Sequence, residues 1–414
     1  MTTSRGKAPK LVVFDVEGVL IPKNRFLFEI GKSLGLPQLM KVLLFGFLYE
    51  TGLISLKTAL KRIFNSLQGI KLEWLIQIAE KVPVIPNAKE VFDQLRAQGC
   101  KTALISSGVP AIIVTQIATK LGADYGFGFD MGMNSEVFTG EIWGDVIERN
   151  GKLQILSQIL KTEGLSPSDC AVVADDRNNA SIFLRETRKI GYNPDFRILI
   201  KADTVVTGKL PKILPVINGE PELQASPSRN DVLREIIHAS GVFVPVLCSV
   251  IGVPAVALII CAVVAFYLVS ELLRMDGKNL PFISTVTRHA ASHTELYEFT
   301  ATPIYFAVGI LLALLFFHAP ISSASIAIFA LGDSTASIFG SLIPRKPLPF
   351  NKGKTLGGSL SGFFFAFLAG SFFISPVQAL IGAAVAMTIE YLPLPVNDNV
   401  LIPLFTGCAL VLII

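Results

Sequence analysis

Hydrophobic and polar positions divide the chain into two unlike halves. In the first half, short apolar runs alternate with amphipathic stretches, a pattern typical of buried strands joined by crossover helices. After Arg234, apolar runs of about 15 to 20 residues follow one another, and such a run is long enough to cross a bilayer as a helix. We therefore predict a doubly wound, Rossmann-like α/β domain over residues 1–206 and an all-α membrane domain over 231–414.

The apolar runs of the second half predict about seven transmembrane helices. They cover residues 237–252, 253–271, 298–317, 321–342, 355–374, 377–391 and 400–414. Breaks near Gly252, Ala319 and Ser375 carry no charged side chain, whereas the alternate breaks carry Lys, Arg, Asp and Glu. Since Lys- and Arg-rich loops remain in the cytoplasm, we predict an integral protein of the cell membrane whose soluble domain faces the cytoplasm.

Composition limits the partners and the site chemistry. The chain is 51% hydrophobic and 16% charged, which is too apolar for an ordinary soluble protein, and its net charge of +4 does not indicate a nucleic-acid partner. The five cysteines show no CxxC spacing, so neither a disulfide framework nor a zinc site is indicated. A Pro-, Ser- and Asn-rich stretch at 211–229 predicts an interdomain linker over 207–230.

Polar side chains directly follow three of the predicted strands of the first half. They are Asp15 and Glu17, then Ser106, then Asp175 with Asp176. Because the carboxyl ends of parallel strands meet at one edge of a sheet, we expect these groups to share a site. Lys152, at the start of a predicted helix, adds a cation.

A carboxylate nucleophile with a second carboxylate, a hydroxyl, a lysine and an acidic pair suits phosphoryl transfer through an aspartyl-phosphate. Asp15 would attack phosphorus, and Glu17 would carry the proton of the leaving group. Ser106 would hydrogen-bond the phosphoryl oxygens, while Lys152 would neutralise the nucleophile and the phosphate. Mg²⁺ would be held by Asp15, Asp175 and Asp176.

This constellation resembles the haloacid dehalogenase superfamily, particularly its phosphoserine-phosphatase-like branch, from Lys10 to about Val206. The resemblance implies a Mg²⁺-dependent phosphomonoester phosphatase with a helical cap, whose position here is about 22–84. Aspartate is the usual residue where this chain has Glu17, so the acid–base group departs from the family pattern. The alternative is a non-catalytic regulatory module.

One apolar run inside the predicted cap has two interpretations. Residues 39–48 (LMKVLLFGFL) are too few to span a bilayer, so they form either the core of the cap or a surface that meets lipid. We favour the cap core, because an apolar helix face is usually buried. A lipid-facing surface would instead present a lipid phosphate to Asp15.

A polar, glycine-rich and basic segment at 331–359 lies between two apolar runs of the second half. Its small residues would let a backbone approach a ligand, Asp333 can hold a divalent cation, and its basic residues can bind phosphate. The candidate nucleotide-binding residues are Gly332, Ser334, Ser337, Gly340, Arg345, Lys352, Lys354 and Thr355. The alternative is a connecting loop whose basic residues only follow the positive-inside rule.

The pattern GDxxASxxG at 332–340, followed by KTxxGS at 354–359, resembles the CTP-dependent lipid kinases of the dolichol, polyprenol and phytol kinase family. Three weaker motifs occur in the family's order, and they are REIIHASG at 234–241, SELLR at 270–274 and NDNVLIP at 397–403. The resemblance thus covers the C-terminal half. At Gly357 the family often carries Glu, so no catalytic role is assigned to that position.

The kinase resemblance implies transfer of phosphate from CTP to a long-chain isoprenoid alcohol. Asp333 would be catalytic, and Mg²⁺ would be bound by Asp333, Glu390 and Asp398, since charges near span ends are costly and usually functional. The predicted partners are therefore CTP and membrane lipids, namely an isoprenoid alcohol and a lipid phosphate. The alternative for this half is a cytidylyltransferase that forms a CDP-lipid.

Overall fold

The computed structural model describes residues 8–50, 53–220, 227, 229–275, 277–278, 299–343, 346–349, 351–394 and 396–413. The chain folds into two compact units, Met1–Leu223 and Gln224–Ile414. The boundary between the units falls inside the segment predicted as a linker.

The first unit is built on one sheet, which contains seven strands in the part of the chain that the structure describes. The strands are β1 (Leu11–Phe14), β2 (Lys101–Pro110), β3 (Tyr125–Asn134), β4 (Val137–Trp143), β5 (Cys170–Ala174), β6 (Arg188–Tyr192) and β7 (Thr204–Val206). Their order is β4-β3-β2-β1-β5-β6-β7, and only β3 and β4 pair antiparallel. The prediction of a doubly wound α/β domain is confirmed, with β1 fully buried at the centre.

Helices cover the sheet and fill the insertion after β1. They are α1 (Arg25–Ser33), α2 (Leu36–Glu50), α3 (Leu56–Asn65), α4 (Leu72–Glu80), α5 (Ala88–Ala97), α6 (Ala111–Leu121), α7 (Gly151–Glu163), α8 (Phe196–Lys201) and α9 (Ile213–Ile217). The first four lie within the segment 22–84 that was predicted to be a helical cap. In α3 the buried residues recur at helical spacing, with Ala59, Leu60, Ile63 and Phe64 facing the core.

Helix α2 corrects the preferred interpretation of residues 39–48. Val42 and Phe45 pack against the core of the first unit, but most of the large apolar side chains of this helix are exposed. The reason is geometric, because a helix that is apolar all round can bury only the face that meets its neighbours, here α1 and α3. The run 39–48 is therefore not simply cap core.

The linker prediction is also corrected at its beginning. Residues 210–217 form a short helical segment in which Leu210, Ile213 and Ile217 are almost fully buried against the first unit. Pro211 lies in the first turn, where a missing N–H costs nothing, so its presence does not break the helix.

The second unit is helical in its described residues. Its helices are α10 (Arg229–Ala239), α11 (Val244–Ile251), α12 (Val253–Met275), α13 (Thr302–Phe316), α14 (Ile321–Leu342), α15 (Leu356–Ser371), α16 (Pro376–Tyr391) and α17 (Asp398–Val411). By length and composition, three stretches can cross a membrane, and they are Arg229–Ile251, Val253–Met275 and Ile321–Leu342. These stretches are consistent with membrane association. The remaining apolar helices are shorter, so seven spans stay a prediction.

Helix α14 is the most buried helix of the second unit and packs against α10, α15, α16 and α17. Its contact with α15 depends on small residues, because a Cβ at Gly362 would lie 2.8 Å from that of Ala336. Likewise, a Cβ at Gly332 would lie 3.1 Å from that of Ala366. Small residues one turn apart on both helices let the two backbones approach closely, as in membrane helix pairs.

Candidate active site

Asp15 lies directly after the central strand β1 and is 5% exposed. Its Oδ1 accepts hydrogen bonds from the backbone N–H of Val16 at 2.8 Å and from Lys152 Nζ at 3.0 Å. Its Oδ2 accepts a hydrogen bond from Asn179, whose own Oδ1 accepts one from Lys152 at 2.7 Å. Burial raises the pKa of Asp15, while the Lys152 ammonium and the Asn179 amide favour its charged form.

The acidic pair reaches Asp15 because β5 pairs in parallel with β1, with Val173 opposite Phe14. One carboxylate oxygen from each of Asp15, Asp175 and Asp176 lies within 4.8 Å of the others. Asp175 Oδ1 is buried without a hydrogen-bond partner among the described residues. Burial raises the pKa of Asp175 well above its usual value, and the charges of Asp176 and Asp15 add to this shift. These oxygens fit a hard divalent cation such as Mg²⁺, which would relieve their repulsion.

Glu17 and Asp175 each lie close to a glycine at the same edge of the sheet. A Cβ at Gly108 would collide with the Glu17 carboxylate, and a Cβ at Gly18, whose φ is +78°, would collide with Asp175. Burial raises the pKa of Glu17 to about 8, and the neighbouring charges of Asp15 and Asp176 act in the same direction. At neutral pH the side chain is therefore mainly protonated and can act as an acid.

Ser106 lies within the buried part of β2 and is 1% exposed. Its Oγ accepts hydrogen bonds from the backbone N–H groups of Gly108 at 3.2 Å and Val109 at 3.1 Å. Because these amides use the oxygen as acceptor, its hydroxyl hydrogen remains available to donate to an anion.

The cap contacts the site through the C-terminal end of α2. The hydroxyl of Tyr49 donates to Asn178 Oδ1 at 2.6 Å and accepts from Arg177 Nε at 3.3 Å. The Arg177 guanidinium also lies 4.3 Å from the centroid of the Tyr49 ring. This polar contact joins α2 to the turn that follows Asp176, so the cap covers the acidic pair.

A buried aspartate, a lysine and an acidic pair thus meet at one edge of the sheet. A family model for haloacid dehalogenase-like hydrolases matches residues 9–185. The N-terminal unit is a haloacid dehalogenase-like hydrolase domain. The predicted resemblance of this half is thus confirmed, and the family match ends before the helices of the second unit.

The haloacid dehalogenase-like domain is similar to several phosphoserine phosphatases. The enzyme of Methanocaldococcus jannaschii is 27% identical over 200 residues, which cover 48% of this chain and 93% of that protein. The enzyme of Archaeoglobus fulgidus is 28% identical over 184 residues, covering 44% of this chain and 52% of that protein. A solved phospho-aspartyl intermediate analogue of phosphoserine phosphatase is 26% identical, with a TM-score of 0.47, and covers 51% of this chain and 99% of that one.

The structure places Lys152 in contact with Asp15, and it places Asp175 and Asp176 beside Asp15. Glu17 lies next to Gly108, whose backbone N–H donates to Ser106 Oγ. Asn179 was missed by the sequence analysis, although it holds both Asp15 and Lys152. Lys23 was missed as well, and its Nζ lies 3.4 Å from Asp175 Oδ2. The only available signal for Asn179 was its position shortly after the acidic pair.

The second unit contains its own polar cluster, centred on Asp333 of α14. Asp333 Oδ2 lies 3.7 Å from His238 Nδ1, and Glu235, His238 and Asp333 can place one ligand atom each within 4.8 Å of the others. His238 Nδ1 is buried and has no hydrogen-bond partner in the described part of the chain. The His238 ring stacks on Phe306 with 4.6 Å between centroids, so its orientation is fixed.

Lys354 connects Asp333 to the other two predicted metal ligands. Its Nζ lies 2.7 Å from Glu390 Oε1, 3.8 Å from Asp398 Oδ2 and 3.9 Å from Asp333 Oδ1. Glu390 and Asp398 therefore approach Asp333 across an ammonium group. The geometry groups Asp333 with Glu235 and His238 as possible metal ligands, in place of Glu390 and Asp398.

Several residues predicted to bind nucleotide also have structural contacts within the second unit. Ser334 Oγ donates to the carbonyl of Ala330 at 2.7 Å, and Gly332 allows α14 to approach α15. Thr355 caps α15 by accepting from the N–H of Gly358, and a Cβ at Gly340 would lie 3.0 Å from its hydroxyl. These contacts give the small residues of the motif a packing role, whatever ligand the segment binds.

The remaining candidates of this segment differ in their surroundings. Ser337 hydrogen-bonds Glu235, which places it beside the Asp333 cluster. Lys352 lies in the loop before α15 and is partly exposed, while Arg345 lies outside the described residues. A further ion pair joins Arg274 to the buried Glu271, with Nε and Oε2 2.8 Å apart.

Proposed function

We propose that the N-terminal domain hydrolyses a phosphomonoester through an aspartyl-phosphate on Asp15. The observation that supports this proposal most directly is the environment of Asp15, whose two oxygens are held by Lys152 and Asn179 beside Asp175 and Asp176. A fixed carboxylate at the carboxyl edge of a parallel sheet is placed to attack a phosphoryl group.

In the first step an Asp15 oxygen forms a bond to phosphorus, and the ester P–O bond to the alcohol breaks. Glu17 gives its proton to the departing alkoxide, and it then takes a proton from the water that hydrolyses the aspartyl-phosphate. Ser106 and Lys152 hydrogen-bond the phosphoryl oxygens and balance their charge. Asp15, Asp175 and Asp176 would hold Mg²⁺, which would supply further charge neutralisation.

Phosphate release should depend completely on a divalent cation. We expect purified full-length protein in detergent to release phosphate from a phosphomonoester with Mg²⁺ and to lose this activity in EDTA, because three carboxylates within 4.8 Å cannot receive a phosphate dianion unaided. Re-addition of Mg²⁺ should restore the rate. If no phosphomonoester is turned over with Mg²⁺ present, the domain is a regulatory module instead.

We further propose that residues 231–414 transfer the terminal phosphate of CTP to a long-chain isoprenoid alcohol. The resemblance of 332–340 and 354–359 to CTP-dependent lipid kinases supports this proposal, as does the cluster of Asp333, His238 and Lys354. A divalent cation would be held by Asp333 with Glu235 and His238. The basic loop before α15, with Lys352 and Lys354, would meet the nucleotide phosphates from the cytoplasmic side of the cell membrane.

The nucleotide product distinguishes the two candidates for the second unit. Full-length protein in sealed vesicles should convert CTP and a polyprenol into CDP and polyprenyl phosphate. CTP should act only from the side on which a cysteine introduced near Asn351, at the exposed Gly353, can be labelled, since the same loop would carry the nucleotide site. Release of pyrophosphate would identify a cytidylyltransferase, and activity with CTP on the opposite side only would reverse the proposed orientation.

A further inference from the structure

Helix α2 contributes to two features of the haloacid dehalogenase-like domain. Its exposed face is an apolar surface, and other residues of the same helix form part of the wall of the active-site cavity. From these we infer that the phosphatase substrate is the phosphate ester of an apolar alcohol that remains anchored in a membrane, and that α2 meets the lipid surface. The inference rests on the proposed phosphatase activity and specifies its substrate class.

The apolar face of α2 is continuous along the helix. Its exposed side chains recur at helical spacing, and they are Leu36, Met40, Leu43, Leu44 and Phe47. Leu36 is 71% exposed and Phe47 is 63% exposed, although both are large and apolar. Such a contiguous stripe on the surface of a domain marks a site where another apolar phase is met.

Two observations favour lipid as that apolar phase, namely the basic residues beside the stripe and the attachment of this domain to apolar helices of the same chain. Between residues 36 and 49 the only charged side chain is the exposed Lys41, and Arg62 of the neighbouring α3 lies 5.4 Å from the Phe45 ring. An apolar stripe with basic neighbours is the composition of a helix that lies in the headgroup region of anionic lipid. The same chain carries three stretches able to cross a membrane, so this domain is tethered to any bilayer that they enter.

The cavity beside Glu17 is suited to an apolar leaving group. Glu17, the proton donor, lines it together with Asp176, so the alcohol part of the ester must lie there. The cap contributes apolar residues to the same cavity, and they are Leu27, Leu56, Ala59, Leu60 and Ile63. Lys23, Asn24, Tyr49 and Asn178 also line the cavity, but Lys23 Nζ already lies 3.4 Å from Asp175 Oδ2. The five apolar side chains favour an apolar leaving group over serine, whose ammonium and carboxylate would lose hydration against them.

The size of the cavity limits how much of the alcohol it can enclose. Its volume of about 50 Å³ can hold only the first part of a long chain. Gly46 and Tyr49 of α2 form part of its wall, so the remainder of the chain would leave beside the helix that meets lipid. A larger cavity of about 670 Å³ near Lys152 is lined by basic residues, but its lining does not include Glu17.

The reaction consumes one water and releases inorganic phosphate and a lipid alcohol. The bond that breaks joins phosphorus to the alcohol oxygen, which receives the Glu17 proton, and water later supplies the oxygen that remains on phosphate. No oxidant, reductant or nucleotide takes part.

Three substrates test the inference with full-length protein in phosphatidylcholine and phosphatidylglycerol vesicles. They are polyprenyl phosphate in the bilayer, butyl phosphate in solution and phosphoserine in solution. We expect polyprenyl phosphate to be hydrolysed with at least about tenfold higher kcat/KM than phosphoserine, and butyl phosphate to exceed phosphoserine as well. Higher kcat/KM for phosphoserine than for butyl phosphate would overturn the apolar leaving group.

Two variants of the exposed face test the lipid contact separately. Met40→Glu and Leu43→Glu should each lower turnover of polyprenyl phosphate at least about tenfold, since a carboxylate resists entry into anionic lipid, while butyl phosphate turnover stays unchanged. Ile200→Glu is the matched control, because Ile200 of α8 is also exposed, 54%, but lies outside the cap. Thermal melts verify folding of all three variants.

The outcomes separate this inference from the proposed activity. Equal loss on both substrates in folded Met40→Glu and Leu43→Glu, or loss on neither, would contradict the lipid contact. Turnover of soluble esters without turnover of polyprenyl phosphate would overturn the substrate class and leave the phosphatase intact. Absence of phosphate release from all three substrates would instead refute the proposed function itself.

Discussion

Asp15→Asn should lower phosphate release by a factor of about 1,000 or more, because an amide is a poor nucleophile. The substitution keeps the volume of the side chain and its position after β1. The CTP-dependent activity proposed for the second unit should remain, since Asp15 belongs to the first unit. The measurement is phosphate release at saturating Mg²⁺ with polyprenyl phosphate and butyl phosphate.

Asp130→Asn is the matched control for this prediction. Asp130 lies exposed on β3, so the same loss of one negative charge should leave turnover within about twofold of the wild type. Lys152 is 3% exposed and loses its charged partner in Asp15→Asn, so a thermal melt must show that the variant is folded. A folded Asp15→Asn protein that retains more than a tenth of the activity would exclude Asp15 as the nucleophile.

Lys354→Met should destabilise the second unit by about 3 kcal/mol, which is the range expected when one partner of a buried ion pair is removed. The Lys354 ammonium lies 2.7 Å from Glu390 Oε1, whose side chain is 2% exposed, and it also faces Asp398 and Asp333. Without it, the buried carboxylate of Glu390 must become protonated or draw water into the helix contact.

The measurement is the melting temperature of the second unit in detergent-solubilised protein, which should fall by several degrees. Lys346→Met is the control, because Lys346 is an exposed lysine of the same loop and should cause little change. Adding Glu390→Gln to Lys354→Met should recover part of the lost stability, since it removes the unpaired charge. Equal melting temperatures for Lys354→Met and Lys346→Met would contradict a structural role for the Lys354 cluster.

The sequence alone determined the architecture of the first unit and most of its active site. Apolar runs that end in Asp15 and in the pair Asp175 and Asp176 imply parallel strands whose carboxyl ends share an edge, and that rule needs no knowledge of side-chain packing. Lys152 could be predicted as well, because it is a cation at the start of a predicted crossover helix. The existence of long apolar helices in the second half also follows from local composition.

Tertiary structure alone decided which distant side chains meet and which faces are buried. Asn179 and Lys152 are 27 residues apart, and only the folded chain brings both to Asp15. The small residues of 332–340 were predicted to let a backbone approach a ligand, and only the folded chain shows that Gly332 also meets α15, which begins at Leu356. In the run 39–48 of α2 every position except Lys41 is apolar or glycine, so the sequence pattern could not identify the exposed face. That face is determined by where α1 and α3 pack, because burial depends on neighbours that a linear pattern does not contain.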